Sequence, residues 1–311
     1  MTRVAIIGLG SIASKVYLPE LVHRHDVDIV GIASRRFETV DHYGELYRIA
    51  NRYVSVDDVL RQQPEIVFVH ASTPVHYSIV MKILEAGTHV YVDKPLSNDI
   101  RETRQLTDFA TERSLLLAVG FNRRFAPLIK QAQQAVPSPQ FVSTEKHRPS
   151  PQDMPARETI YDDLIHLVDT LLWLLGEGAE LTDYQQYTDI EGRLLLATGA
   201  VRSGNTMGQF SMYRQAGSDS ERLSVHGDGS SAEVIDLERL TVHEHDIVAN
   251  KLQAKVMGFG SWDTVRYRRG FASLIEHVLA HLTDPDSCEI SARRTLATHQ
   301  MVESIVRWSH Q

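Results

Sequence analysis

The sequence predicts an α/β domain built on a parallel sheet, followed by an α+β domain with an antiparallel sheet. Three observations predict it. Over roughly the first 120 residues, apolar runs of strand length alternate with helical stretches, the pattern of right-handed βαβ units. A G-x-G-x-x-A turn follows the first of those runs. From residue 140 onward, strand candidates succeed one another with turn residues between them, which reads as an antiparallel meander.

The elements follow in order. Val4-Ala5-Ile6-Ile7 is a continuous apolar run, as in a strand buried on both faces. Gly8 to Gly10 turns the chain into a helical stretch that reaches about Val22. Ile29 to Ala33 is the second buried run, and Ile66 to Val69, after Pro64, is another. Val75 to Glu85 reads as a helix that stops at Gly87, glycine being the residue that best closes a helix C-terminus. His89 to Val92 is a strand, Ile100 to Glu112 a helix and Leu115 to Val119 a strand. After Gly120 the pattern changes. Phe125 to Ala135 is helical, and Val136-Pro137-Ser138-Pro139 ends it. The strand candidates are then 141–147, 194–202, 206–213, 222–226, 233–237 and 240–245. Ser203-Gly204-Asn205 and Gly227-Asp228-Gly229 mark turns between them. One helix, 159–175, interrupts the series and ends at Gly176; two more, about 265–282 and 291–309, close the chain. The expected division is 1–121 and 122–311.

Composition excludes several classes of protein. A chain of 311 residues suits two domains. With 42% hydrophobic and 23% charged residues it can bury a large core, so disorder is excluded as the main reading. Apolar runs such as Leu171 to Leu175 are too short to span a membrane. Arg3 to Gly8 has the length of a strand and lacks the apolar core of a signal peptide. Cys288 is the only cysteine, which fits a reducing compartment, and the cytoplasm is the expected location. A formal charge of −8 argues against nucleic acid as a partner.

The first turn, Gly8-Leu9-Gly10-Ser11-Ile12-Ala13, stands where a dinucleotide-binding turn must stand, after a strand and at the opening of a helix. Gly8 permits the tight turn, Gly10 lets the backbone approach a pyrophosphate, and Ala13 is small enough for close helix–strand packing. Ser11 and Ile12 open the helix, whose N-terminus favours an anion. The second strand ends in Ala33-Ser34-Arg35-Arg36. An NAD site wants an acid there for the ribose 2′-OH. Ser34, Arg35 and Arg36 suit a 2′-phosphate instead, so NADP is the expected cofactor, with NAD left open.

Further motifs carry a resemblance. Thr73-Pro74-Val75-His76, Glu85-Ala86-Gly87-Thr88-His89-Val90 and Asp93-Lys94-Pro95 follow one another in the first domain. Gly120-Phe121-Asn122-Arg123-Arg124-Phe125 stands at its end, and Asp162-Asp163-Leu164-Ile165-His166-Leu167-Val168-Asp169 lies on the interrupting helix. Over essentially the full chain, this set resembles the Gfo/Idh/MocA oxidoreductases, most of all their MviM-like subgroup. The resemblance implies a Rossmann domain followed by an open, mostly antiparallel sheet through which such proteins oligomerise, here as a homodimer or homotetramer. Two departures stand out. Asp93 replaces the commoner Glu, and Arg157-Glu158 stand where a glycine pair often precedes the D-x-x-x-H helix.

The resemblance also implies a site. Lys94 ends a buried strand, at the sheet edge where ligands bind in doubly wound folds, and can stabilise a developing alkoxide. At about 100° per residue, Leu164, Leu167, Val168, Leu171 and Leu175 form an apolar stripe, with Asp162, His166, Asp169 and Trp173 opposite. His166 suits proton transfer, and Asp162 can hold a substrate hydroxyl. Thr73, Pro74, His76, Asp93 and Lys94 join the cofactor contacts. Asn122, Arg123, Arg124, Lys146, Arg157 and Asp163 are the candidate substrate contacts. His243-Glu244-His245-Asp246 puts two imidazoles on one strand face, but no third ligand is placeable, so no metal is expected. Trp262 reads as a packing residue in a loop. The implied activity is hydride transfer between nicotinamide and a secondary alcohol of a sugar, polyol or related small hydroxy compound. An NAD-dependent glycosidase or epimerase on the same scaffold, and a dinucleotide-sensing protein without chemistry, are the alternatives.

Overall fold

A computed structural model describes residues 1–246 and 250–308. By contacts the chain forms two compact units: Met1–Phe121 with Phe271–Leu296, and Asn122–Gly270 with the residues from Ala297 on. The sequence division falls after residue 121; contacts add that the segment 271–296 returns to the first unit. Val119 N–H donates to Ile290 O at 2.9 Å, Ala118 bridges to Ser291, and Phe271 packs edge-on against Tyr17.

The first unit holds six strands, β1 (Thr2–Ile7), β2 (Val27–Ala33), β3 (Arg52–Tyr53), β4 (Ile66–Val69), β5 (His89–Val92) and β6 (Leu117–Val119). They lie in the order β3-β2-β1-β4-β5-β6, and every pair is parallel. This is the expected Rossmann sheet. The runs of β1, β4 and β5 are almost wholly buried because helices cover both faces. The chain reverses direction across the sheet between β1 and β4, which makes their carboxyl ends the switch point where ligands bind in such sheets. Helix Ile100–Glu112 has the predicted bounds, and its cap residue Asp99 accepts from Arg101 N–H at 2.8 Å. Helix His76–Glu85 stops at Gly87, which has φ +76°. Helices Phe37–Leu46 and Val56–Leu60, and the two-residue β3, are additions to the sequence reading. The stretch after the glycine turn is a π-turn, Ala13–Tyr17, continued by the α-helix Leu18–Val22.

The second unit is built on eight strands, β7 (Pro139–His147), β8 (Glu180–Thr188), β9 (Leu194–Ser203), β10 (Thr206–Tyr213), β11 (Ser220–Gly227), β12 (Ser230–Ile235), β13 (Arg239–Asp246) and β14 (Lys251–Gly258). Their order is β14-β13-β12-β11-β7-β10-β9-β8. It is not one meander. β7 lies between two of them, antiparallel to β11 and parallel to β10. The edge strands β8 and β14 are additions to the sequence reading: β8 is largely exposed and polar and shows no clean alternation, whereas β14 does alternate polar and apolar residues from Lys251 to Val256.

The helix expected over 159–175 is three consecutive pieces: Ala156–Thr159, a π-turn Ile160–Leu164 and Ile165–Leu175. It covers one face of the sheet. A Cβ on Gly208 of β10 would come within 2.7 Å of Leu171 and 2.8 Å of Leu175, so glycine lets the helix lie directly on the strand. The segment after Gly258 carries two short helices, Val265–Arg268 and Phe271–Ala280, where one was expected. The closing helix is Ala292–Trp308; residue 309 of the expected span lies outside the described residues. No helix among the described residues is long and apolar enough to cross a membrane.

Candidate active site

In the first unit the glycine turn is shaped as a dinucleotide turn must be. Gly8 has φ +90°, and a Cβ there would meet Ala71 N at 2.5 Å and the His70 carbonyl carbon at 2.6 Å. Both conformation and space therefore demand glycine. Around the Cβ position of Gly10 there is nothing within 4 Å, so its backbone is open to a pyrophosphate that any larger residue would obstruct. Ser11 and Ile12 are exposed beside it, and Ala13 is fully buried against the sheet. Ser34 is half-buried at the end of β2, with Arg35 and Arg36 exposed after it. These residues fit a dinucleotide cofactor.

Asp93 and Lys94 are half-buried at the carboxyl end of β5, and the Lys94–Pro95 peptide bond is cis. Two histidines brace this turn. His70, directly after β4, has a fully buried side chain, and its Nδ1 donates to Asp93 Oδ2 at 2.8 Å. No motif pointed to His70; it becomes visible only because β4 and β5 are neighbours. His76 is buried, with Nδ1 2.9 Å from Pro95 O and Nε2 2.8 Å from Ala71 O. Burial holds its imidazole below the ordinary value against the pull of those carbonyls, and a neutral ring donates to only one of them. His76 thus ties the Thr73-Pro74 segment to the Pro95 turn. Beneath Asp93, the hydroxyls of Tyr17 and Tyr91 lie 2.5 Å apart. Burial raises both phenols far above their ordinary value, and the Asp93 charge adds to it.

In the second unit Asp162 and Asp163 share the π-turn and have different surroundings. Asp162 and His166 are half-buried, as is Trp173 further along the same stripe. Asp162 Oδ2 accepts from Gln152 Nε2 at 2.8 Å. Asp163 is buried and accepts from both Lys146 and Arg214. Burial by itself would raise its carboxyl, but those two cations outweigh burial and hold it below the usual range. Burial, helped by the charge of Arg123, pushes Lys146 down to about 8.

The other substrate candidates of this unit are also engaged by the protein. Arg123 forms a two-pronged pair with Glu221 of β11. Although burial opposes it, Arg123 brings Glu221 down to about 2. Arg124 Nε and Nη2 donate to Asp169 at 2.9 and 2.6 Å, and Thr298 adds a bond of 2.9 Å. Asp169 belongs to the polar stripe of the helix by angle, yet these partners bury it, with 1% exposed. Asn122 Nδ2 donates to Arg269 O at 2.8 Å. Arg157 is the open one of the set, with its guanidinium 3.6 Å from Glu303 and 5.1 Å above the Tyr161 ring. Gln152, Arg214 and Glu221 were invisible to sequence reading, since each is a lone polar residue whose partner lies on another element. Among the described residues no group of three His, Cys, Asp or Glu is placed to hold a metal, and His243 and His245 are exposed on β13. Trp262, read as a packing residue, is 96% exposed.

Comparison with known proteins places this geometry. The chain is 32% identical over 308 residues to the protein YceM of Salmonella typhimurium, covering 98% of this chain and 97% of that one. It belongs to the Gfo/Idh/MocA oxidoreductases. The family profile, described as an oxidoreductase family with an NAD-binding Rossmann fold, matches residues 2–121. A YceM-like C-terminal domain matches residues 127–245. The crystal structure of a dehydrogenase (MviM) from Clostridium difficile superimposes with a TM-score of 0.91 at 28% identity, over 99% of each chain. A D-glucoside 3-dehydrogenase of Escherichia coli is 32% identical over 138 residues, 43% of this chain and 38% of that one. The expected family and its fold are thereby established, and the chain is an enzyme of the NAD(P)-dependent oxidoreductase type.

Proposed function

We propose that this oxidoreductase transfers a hydride between NADP and a secondary alcohol carbon of a sugar or polyol. The observation that carries the reading is the Asp93-Lys94-Pro95 turn at the carboxyl end of β5, in the same parallel sheet as the Gly8–Gly10 turn after β1. The relative acting on a glucoside supports the substrate class. A bound nicotinamide supplies the hydride acceptor or donor. The chain supplies the rest. Lys94 donates a hydrogen bond to the reacting oxygen and stabilises the negative charge that develops on it. His166 accepts the hydroxyl proton as the carbonyl forms, and returns it in the reverse direction. Asp162 accepts a hydrogen bond from a substrate hydroxyl and orients the ring. Screening sugars and polyols for formation of reduced nicotinamide tests the reading. A substrate oxidised with stoichiometric NADPH formation supports it, and turnover without net cofactor reduction would favour a glycosidase or epimerase.

Cofactor choice gives a separate prediction. Ser34, Arg35 and Arg36 offer a hydroxyl and two guanidinium groups to a 2′-phosphate, with no acid at the end of β2 to hold a 2′-hydroxyl. Fluorescence titration is expected to show NADPH binding more tightly than NADH. Equal or tighter NADH binding removes the claim.

The sheet of the second unit predicts an oligomer. On the face opposite the helix, Tyr187, Met207, Tyr213, Leu252 and Val256 are exposed. Register places them all on that one side. Apolar residues spread over an open sheet suit association with a second copy. Light scattering at micromolar concentration is expected to report a multiple of 35.1 kDa; the monomer mass would contradict it.

A further inference from the structure

Gln152 stands between Asp162 and the buried charges of the second unit. Its Nε2 donates to Asp162 Oδ2 at 2.8 Å, and its Oε1 accepts from Arg214 Nη2 at 3.1 Å. The amide can point only one way. A guanidinium only donates and an ionised carboxylate only accepts, so the oxygen faces Arg214 and the nitrogen faces Asp162. Arg214 is itself anchored. It is buried after β10 and bonded to Asp163, which also receives Lys146 from β7. A continuous polar chain therefore runs Lys146, Asp163, Arg214, Gln152, Asp162, from the rigid sheet to the π-turn.

The loop that carries Gln152 is pinned at both ends. Arg148 N–H donates to Tyr213 O at 2.8 Å, Ala216 N–H to Arg148 O at 2.9 Å, and Ala156 N–H to Gly192 O at 2.9 Å. Pro149, Pro151 and Pro155 restrict the chain between those ends. The π-turn widens the helix at Asp162 and takes it out of regular α register, so the direction of its carboxylate depends on side-chain partners.

We propose that Gln152 is a positioning residue that aims the Asp162 carboxylate and couples it to the Lys146–Asp163–Arg214 cluster. The inference rests on the reading of Asp162 as the carboxylate that orients substrate. It does not require Gln152 to touch the substrate.

The test is a double-mutant cycle on the full chain, with a substrate from the sugar and polyol screen. Gln152→Leu keeps the side chain's size and removes both bonds; it is expected to lower kcat on the order of 10-fold, with cofactor affinity unchanged. Gln152→Glu keeps an acceptor for Arg214 but sets a second carboxylate against Asp162, and is expected to cost at least as much. It also serves if the leucine variant fails to fold. In an Asp162→Asn background, Gln152→Leu is expected to add less than about a 2-fold loss, because the two residues act as one unit. Losses that multiply independently, or a Gln152→Leu enzyme with wild-type kcat, overturn the proposal. An Asp162→Asn enzyme with wild-type kcat overturns the reading of Asp162 itself, and the inference falls with it.

Discussion

Replacing Lys94 by alanine is expected to lower turnover on the order of 10²-fold or more, and His166→Ala should do the same. In the mechanism we propose, each acts where charge develops in the transition state, so the loss should appear in kcat and not in cofactor binding. The pyrophosphate site we propose is the turn of Gly8 to Ala13, which neither substitution touches. Gly10→Val should show the opposite behaviour. Its new side chain would fill the open space beside Gly10, weakening cofactor binding sharply while leaving the second unit folded. A base must be unprotonated to accept a proton, so oxidation should rise with pH along an acid limb, and that limb should vanish in His166→Ala. Steady-state kinetics with the screened substrate, together with cofactor titration, separates these effects. Near wild-type turnover in Lys94→Ala would end the catalytic assignment and leave the Asp93-Lys94-Pro95 turn a structural role.

Asp163→Ala is expected to destabilise the second unit by about 3–5 kcal/mol, the cost of leaving buried charge without its partner. The side chains of Lys146 and Arg214 are only 6% and 5% exposed, and both bond to this one carboxylate. Its removal leaves two cations side by side with no counter-charge between them. Urea denaturation followed by circular dichroism measures the loss; a midpoint unchanged from wild type would contradict the account. The same cluster predicts acid sensitivity. Asp163 and Glu221 are held below their ordinary values in the folded chain, Glu221 at about 2 against 4.5. Their stabilisation is therefore present above the ordinary carboxylate range and is lost as pH falls through and below it, for Glu221 between about 4.5 and about 2.

Elements whose cause is local were legible in the sequence. Val4 to Ile7 of β1, all of β4 and Val90 to Val92 of β5 form unbroken buried apolar runs because both faces are covered, and that signature survives without coordinates. Gly8 and Gly87 could be read as turn and stop because each takes a backbone conformation that other residues resist. The stripe of Asp162, His166 and Trp173 could be read by angle, although the helix is interrupted by a π-turn, since the sheet-facing leucines keep their own side. The motif text named the family, and the full-length relative agrees.

What pairs with what was decided by tertiary structure alone. Sequence listed Arg123, Arg124, Lys146 and Asp163 as possible substrate contacts, because a charged residue near a motif looks the same whether it faces a ligand or a carboxylate. The fold brings Glu221 to Arg123 across 98 positions and Asp169 to Arg124 across 45, and burial turns these charges into braces. His70 reaches Asp93 only because β4 and β5 are adjacent, and Gln152 reaches Asp162 only because its loop returns from the sheet to the helix. The edge strand β8 carries no clean alternation of its own and exists because β9 offers it a ladder of backbone hydrogen bonds. Local conformation and two-sided burial are written residue by residue. The partner of a polar group is set by which elements the folded chain makes neighbours, and no spacing along the sequence encodes that.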